Sequence, residues 1–160
     1  MPGVTAALGA AAAAAIPLTH RQVSHGVVFL TGRLADGENP DWMRLASSGA
    51  TFVVYMPGRN YAAIASRLRA AGLAAQTPCA IVSHLGRTGQ QVELRTLQQL
   101  AHTTPLPAPT LLIVGEVVRF APRDSFSQEY SERSQLAPWL ASAEIQALFL
   151  QAQGLASDKE

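Results

Sequence analysis

The chain has 160 residues, enough for one compact domain with its own core and too few for two full ones. Hydrophobic residues make up 48% and charged residues only 14%, which excludes a disordered or strongly solvated chain. A formal net charge of +1 supplies no basic field for neutralising phosphates, so nucleic acid is not expected as a partner. From the start of the chain, Pro2-Gly3-Val4-Thr5 reads as a turn opening an alanine-rich helix over Ala6 to Ile16, with Thr5 capping its first free N–H groups and Pro17 ending it. That apolar run lacks the preceding Lys or Arg of a signal peptide. It is about half of the ~20 residues a membrane-spanning helix needs, so a buried, close-packed helix is expected and no membrane partner.

Three short apolar runs bounded by turn residues follow: Gly26 to Leu30, Thr51 to Met56 and Cys79 to Val82. Between the second and third, Tyr61, Ile64, Leu68 and Ala71 recur at helical spacing, with Ser66 and Arg69 opposite and Gly72 closing the helix. Gly86-Arg87-Thr88-Gly89 is turn chemistry, and Val92, Leu94 and Thr96 then alternate with Glu93 and Arg95, which predicts an antiparallel hairpin with the Cys79 strand. Leu97 to Ala101 reads as a short helix. The prolines at 105, 107 and 109 form a stiff connector, and Leu111 to Val118, the most apolar run, is expected at the centre of the sheet. The predicted fold is α/β, a mixed five-stranded sheet with flanking helices over residues 1–120. Residues 121–160 form an extension, first polar and then helical over Ala143 to Gln153, with Ile145, Leu148, Phe149 and Ala152 on one face.

Few residues announce chemistry by themselves. Cys79 is the only cysteine, which excludes an internal disulfide and a cysteine-based zinc cluster and fits a reducing cytoplasm. His20, His25, His84 and His102 are scattered without metal-ligand spacing, so no metal is expected. Ser24, Ser47 and Ser83 lack a nucleophile elbow. Two strand-to-turn junctions are more informative, Tyr55-Met56-Pro57-Gly58 and Val82-Ser83-His84-Leu85-Gly86, because strand ends in open α/β sheets line ligand crevices.

Several words occur together in a specific order: Pro2-Gly3-Val4-Thr5-Ala6-Ala7, Ile16-Pro17-Leu18-Thr19-His20-Arg21, Val28-Phe29-Leu30-Thr31-Gly32, Asp41-Trp42, Val53-Val54-Tyr55-Met56 and Leu112-Ile113-Val114-Gly115-Glu116-Val117-Val118. From Pro2 to about Arg119 the chain resembles the second half of uroporphyrinogen-III C-methyltransferases of the tetrapyrrole methylase family. The resemblance implies S-adenosylmethionine as methyl donor, uroporphyrinogen III as substrate and precorrin-2 as product, for sirohaem and cobalamin synthesis. It also implies a homodimer, a cytoplasmic location and a second-domain fold with a five-stranded mixed sheet.

Carried over by motif, Thr5, Ala6 and Met56 match cofactor-contacting positions, and Met56 also borders the substrate. A further cofactor contact falls by ungapped counting on Leu85. Arg21 and Arg33 match positions beside the tetrapyrrole, where guanidinium groups pair with its carboxylates. The glycine-rich loops and acid/base residues of the family's first half are not in this sequence. The expectation is therefore a fragment of a longer enzyme, with no catalytic residue of its own and inactive alone. Two alternatives stand beside it, a non-catalytic α/β interaction or dimerisation domain and another precorrin methyltransferase.

Overall fold

The structure, a computed structural model, describes residues 4–32 and 41–122, all within one compact unit spanning Met1–Gln128. The predicted helix over Ala143 to Gln153 lies outside the described residues.

The elements run α1 (Ala6–Ala13), β1 (Val27–Thr31), α2 (Trp42–Ser47), β2 (Thr51–Tyr55), α3 (Tyr61–Ala70), β3 (Pro78–Ser83), β4 (Gln91–Thr96), α4 (Leu97–Leu100), β5 (Thr110–Val114) and a 3-10 turn over Glu116–Phe120. They build one mixed five-stranded sheet in the order β1-β2-β5-β3-β4. β1 and β2 are parallel, and every other neighbouring pair is antiparallel, including the expected β3–β4 hairpin. β5 occupies the centre. Its flanks on both sides explain its unbroken apolar sequence, since neither face meets water.

Alternation along the strands divides the core into two layers. Val53, Ala80, Val82, Leu111 and Ile113 face α1 and the 3-10 turn, which contribute Ala7, Ala10, Ala11, Val117 and Val118. Phe52, Val54, Cys79, Ile81, Leu112 and Val114 face the other way, onto Tyr61, Ile64, Ala65 and Leu68 of α3 and Leu97 and Leu100 of α4. Cys79 is fully buried, and desolvation pushes its thiol up to about 12, so it packs as a small hydrophobe and offers no thiolate. Tyr61, also buried, has its phenol raised for the same reason.

Local caps explain most boundaries. Asn60 accepts from the Ala63 N–H at 3.0 Å to start α3, and Gly72, at φ 105°, ends it while the Leu73 N–H returns to the Leu68 carbonyl. α2 has no counterpart among the elements read from sequence. It is six residues long, started by Asp41 accepting from the Arg44 N–H, and its Trp42 and Leu45 pack against the α3 layer.

Three readings of the sequence need correction. α1 stops at Ala13, before Pro17, because Ala15 turns into the left-handed region at φ 50° and the Ile16 N–H bonds back to the Ala11 carbonyl at 2.9 Å. Thr5 occupies the N-cap position of α1 but makes no side-chain cap. The run Leu111 to Val118 is two elements: Gly115, at φ 146°, breaks the strand, and Val117 and Val118 fold back into the α1 layer. The run stays apolar throughout because both pieces are buried.

Candidate functional site

β1, β2 and β3 run in the same direction, so Gly32, Met56 and His84-Leu85 all emerge at one end of the sheet. α1 begins at that end. Its first turn is tied to β2 through Tyr55, whose hydroxyl accepts from the Ala7 N–H at 3.2 Å and lies in a short hydrogen bond with Thr5 Oγ1. Either hydroxyl can be the donor in the Tyr55–Thr5 bond, since the Tyr55 oxygen keeps acceptor capacity beyond the bond from Ala7. Tyr55 thus does the capping expected of Thr5. The next N–H groups, of Leu8 and Gly9, return to the Thr5 carbonyl, and the Ala6 N–H has no partner among the described residues.

Met56 follows directly, at φ 47° and 61% exposed. A left-handed non-glycine residue costs roughly 1–2 kcal/mol, and the neighbouring loop holds it there. The Gly32 N–H donates to the Tyr55 carbonyl at 2.7 Å, and a Cβ on Gly32 would lie 2.6 Å from the Met56 carbonyl oxygen. Only glycine lets β1 end this close to the Met56-Pro57 backbone. Met56 is therefore not a core residue, and its thioether projects from the strand end.

After β3, His84 is also left-handed, at φ 51°, and its N–H donates to the Pro109 carbonyl at 3.0 Å. Buried Ser83 donates its hydroxyl proton to the Pro107 carbonyl, so its oxygen accepts from Nδ1 of His84 at 2.9 Å. This pair assigns the proton of a neutral His84 to Nδ1 and leaves Nε2 as an acceptor. Half-buried Leu85 lies against α1, where a Cβ on Gly9 would come within 3.1 Å of it. Thr5, Ala6, Met56 and Leu85 therefore share one end of the sheet, joined by the start of α1. Exposed Val4 and Leu8, 76% and 51% accessible, extend that end as an apolar surface.

Arg21 is elsewhere. It sits in the tight turn His20–Ser24, whose Ser24 hydroxyl accepts from Thr51 Oγ1 at 3.0 Å, at the opposite end of β2. The five residues of β2 separate it from Met56 by roughly 17 Å. It is exposed, and next to it His20 stacks on Phe120 with ring centroids 4.4 Å apart. Arg33 lies outside the described residues. Among the described residues no group of three or more His, Cys, Asp or Glu could hold a metal ion, and no helix is long and apolar enough to cross a membrane.

Sequence reasoning singled out the Tyr55-Met56 junction without giving Tyr55 a role, and missed Gly32 as its clamp. A tyrosine ending an apolar strand beside a Pro-Gly turn was the available signal.

Comparison with known proteins places this geometry. The family described as Tetrapyrrole (Corrin/Porphyrin) Methylases matches residues 1–101. Siroheme synthase 1 of Pectobacterium atrosepticum is 47% identical over 120 residues, covering 74% of this chain and 25% of that protein. Siroheme synthase 1 of Serratia proteamaculans is 49% identical over 122 residues, with the same shares. The chain thus spans about a quarter of the curated relatives it matches.

Among solved structures, the uroporphyrin-III C-methyl transferase of Thermus thermophilus complexed with S-adenyl homocysteine superposes with a TM-score of 0.64 at 32% identity, covering 74% of this chain and 50% of that one. A cobalt precorrin-4 methyltransferase shares the fold at the same TM-score, with 22% identity over 73% of this chain and 51% of that one. With a family match over well over half its length and this shared fold, the chain belongs to the tetrapyrrole methylases.

Proposed function

We propose that residues 1–120 form the second domain of an S-adenosylmethionine-dependent uroporphyrinogen-III C-methyltransferase, which makes precorrin-2. The observation that carries this reading is the convergence of the α1 start, Tyr55-Met56 and Leu85 at the carboxyl end of the sheet. Identity of 32% to the Thermus uroporphyrin-III enzyme, against 22% to the cobalt precorrin-4 enzyme, supports the uroporphyrinogen branch. Residues 121–160 are an extension to that domain, and the whole protein is proposed to be a cytoplasmic homodimer.

The residues at this end suit the cofactor. The Ala6 N–H, without a partner among the described residues, and the Thr5 hydroxyl offer polar groups to carboxylate or ribose oxygens at a helix N-terminus. Met56 offers a polarizable thioether to the adenine or sulfonium region, and Leu85 an apolar wall. When bound, S-adenosylmethionine supplies the electrophilic methyl group. Arg21 and Arg33 are proposed to pair with tetrapyrrole carboxylates. The separation of Arg21 from Met56 speaks against a contact of Arg21 with the cofactor. Exposed Val4 and Leu8 are proposed to pack on the family's other domain, which would supply the second wall of the cleft and the acid/base groups.

The test is calorimetry on the 160-residue chain with and without the family's other domain. The chain alone is expected to fold, to bind no S-adenosylmethionine measurably and to methylate nothing, because one wall neither encloses the ligand nor aligns methyl and acceptor. Adding the other half, in cis or as a separate chain, is expected to restore both properties together. Micromolar cofactor binding by the chain alone would overturn the two-walled reading.

A further inference from the structure

The charges of the described residues separate into those the fold compensates and those it does not. The carboxylates among them are Asp41, Glu93 and Glu116, and each is paired with an arginine close by in sequence, Arg44, Arg95 and Arg119. Arg21, Arg59, Arg67, Arg69 and Arg87 are exposed and have no side-chain partner among the described residues. Arg67 and Arg69 stand in the last turn of α3, where the negative end of the helix favours cations. Arg21 belongs to the amino end of the sheet. Arg59 and Arg87 are left over.

Nothing in the fold accounts for this pair. Arg59 directly precedes Asn60, the N-cap of α3, where the positive end of the helix disfavours a cation. Arg87 lies in the turn between β3 and β4 and is engaged only through its backbone, its N–H donating to the His84 carbonyl at 2.9 Å. Both positions are at the carboxyl end of the sheet. Tyr55 of β2 and Val82 of β3 pair with the same residue of β5, Leu111, so the two strands end level, two strand spacings or about 10 Å apart. Arg59 and Arg87 therefore extend from the same two strand ends that carry Met56 and Leu85.

We propose that Arg59 and Arg87 form a rim at this end that binds two separate carboxylates of the tetrapyrrole and selects substrates by how many carboxylates they carry. The inference rests on the methyltransferase reading above and names the residues that would set its substrate preference. Two carboxylate sources meet at this end. S-adenosylmethionine has one carboxylate beside an ammonium and a sulfonium, so its net charge is positive and uncompensated arginines do not suit it. Uroporphyrinogen III carries acetate and propionate groups all round its ring, and guanidinium groups set apart across the sheet can each take one in a bidentate pair. Neither arginine has to give up a contact within the fold to do so, and their uncompensated charge attracts a polyanion before it docks.

The test uses this chain assembled with the family's other domain, carrying Arg59→Gln or Arg87→Gln. Each variant is expected to weaken uroporphyrinogen III binding by about tenfold or more, and to leave S-adenosylhomocysteine affinity unchanged by calorimetry. Each should also narrow the preference for uroporphyrinogen III over coproporphyrinogen III, in which methyl groups replace the acetates. Melting temperatures should not fall, and Arg59→Gln should gain slightly by relieving the start of α3. A parent protein that binds S-adenosylhomocysteine but no tetrapyrrole would overturn the methyltransferase reading and the rim together. A parent that binds both tetrapyrroles equally, or variants that bind uroporphyrinogen III as the parent does, keep its full preference, lose S-adenosylhomocysteine instead or melt lower, would overturn the rim alone.

Discussion

The two ends of the sheet are built on different terms. At the amino end, buried Thr51 donates to Ser24 Oγ, Ser24 donates to the Gly26 carbonyl at 3.1 Å, the Thr51 N–H reaches the same carbonyl at 2.9 Å, and the Gly115 N–H reaches the Pro78 carbonyl at 3.0 Å. The left-handed residue near that end, Ala15, has the small side chain and the returning hydrogen bond of a helix cap. At the carboxyl end two larger residues, Met56 and His84, are left-handed without any helix to cap, and the thioether of Met56 is held out to solvent. One end is satisfied within the fold. The other carries its left-handed residues with an exposed side chain at Met56, the kind of strain a proposed ligand surface can hold.

Substitutions at the two ends should therefore separate stability from binding. The largest effect is expected from Gly32→Ala, since the new methyl would meet the Met56 and Pro57 backbone, and a loss of about 3 kcal/mol in denaturant unfolding is predicted. Retained stability would mean that β1 and the Met56 turn can move apart, and the clamp would lose its meaning. At the amino end, Thr51→Val removes a buried donor and should cost about 1–2 kcal/mol of stability. Cofactor affinity of the assembled two-domain protein should be unchanged, and an affinity loss there would dissolve the contrast between the ends.

Tyr55→Phe should cost at most about 1 kcal/mol of stability, because Thr5, at the N-cap position, can take over the Ala7 amide. It should nonetheless weaken cofactor binding in the assembled protein, by releasing the orientation of the Thr5 hydroxyl. Normal affinity by calorimetry would leave Tyr55 with a structural role only. The smallest stability effect is expected from Met56→Gly, which relieves the left-handed backbone at the cost of chain entropy, for a net gain below about 1 kcal/mol. Affinity should fall in the same variant. Stability and affinity falling together would place Met56 among ordinary packing residues.

The sheet was readable because its signals are local. Alternation from Val92 to Thr96, the turn at Gly86 to Gly89 and the apolar density of Leu111 to Val114 each depend on neighbours in sequence. The strand end at Gly115 was not readable, since burial of Val117 and Val118 by α1 prolongs the apolar pattern past the break. The Thr5 cap failed for a similar reason. The group that takes the Ala7 amide is Tyr55, 48 residues away, and a local capping rule cannot see a distant competitor. The separation of Arg21 from Met56 depends on α1 running from one end of the sheet toward the other, which spacing along the chain does not reveal.

The central position of β5 also has a consequence for the order in which the molecule can be made. Before residues 110–114 leave the ribosome, β1–β2 and β3–β4 are two separate strand pairs with no hydrogen bond between them, because each bonds only to the strand still inside the tunnel. Each pair meanwhile exposes one apolar edge, Phe52 to Tyr55 on β2 and Cys79 to Ser83 on β3, where a neighbouring nascent chain could add a strand. The last strand of this sheet to be synthesised is the one that joins them. This fold therefore closes late, through a contact that is long-range for the earlier half.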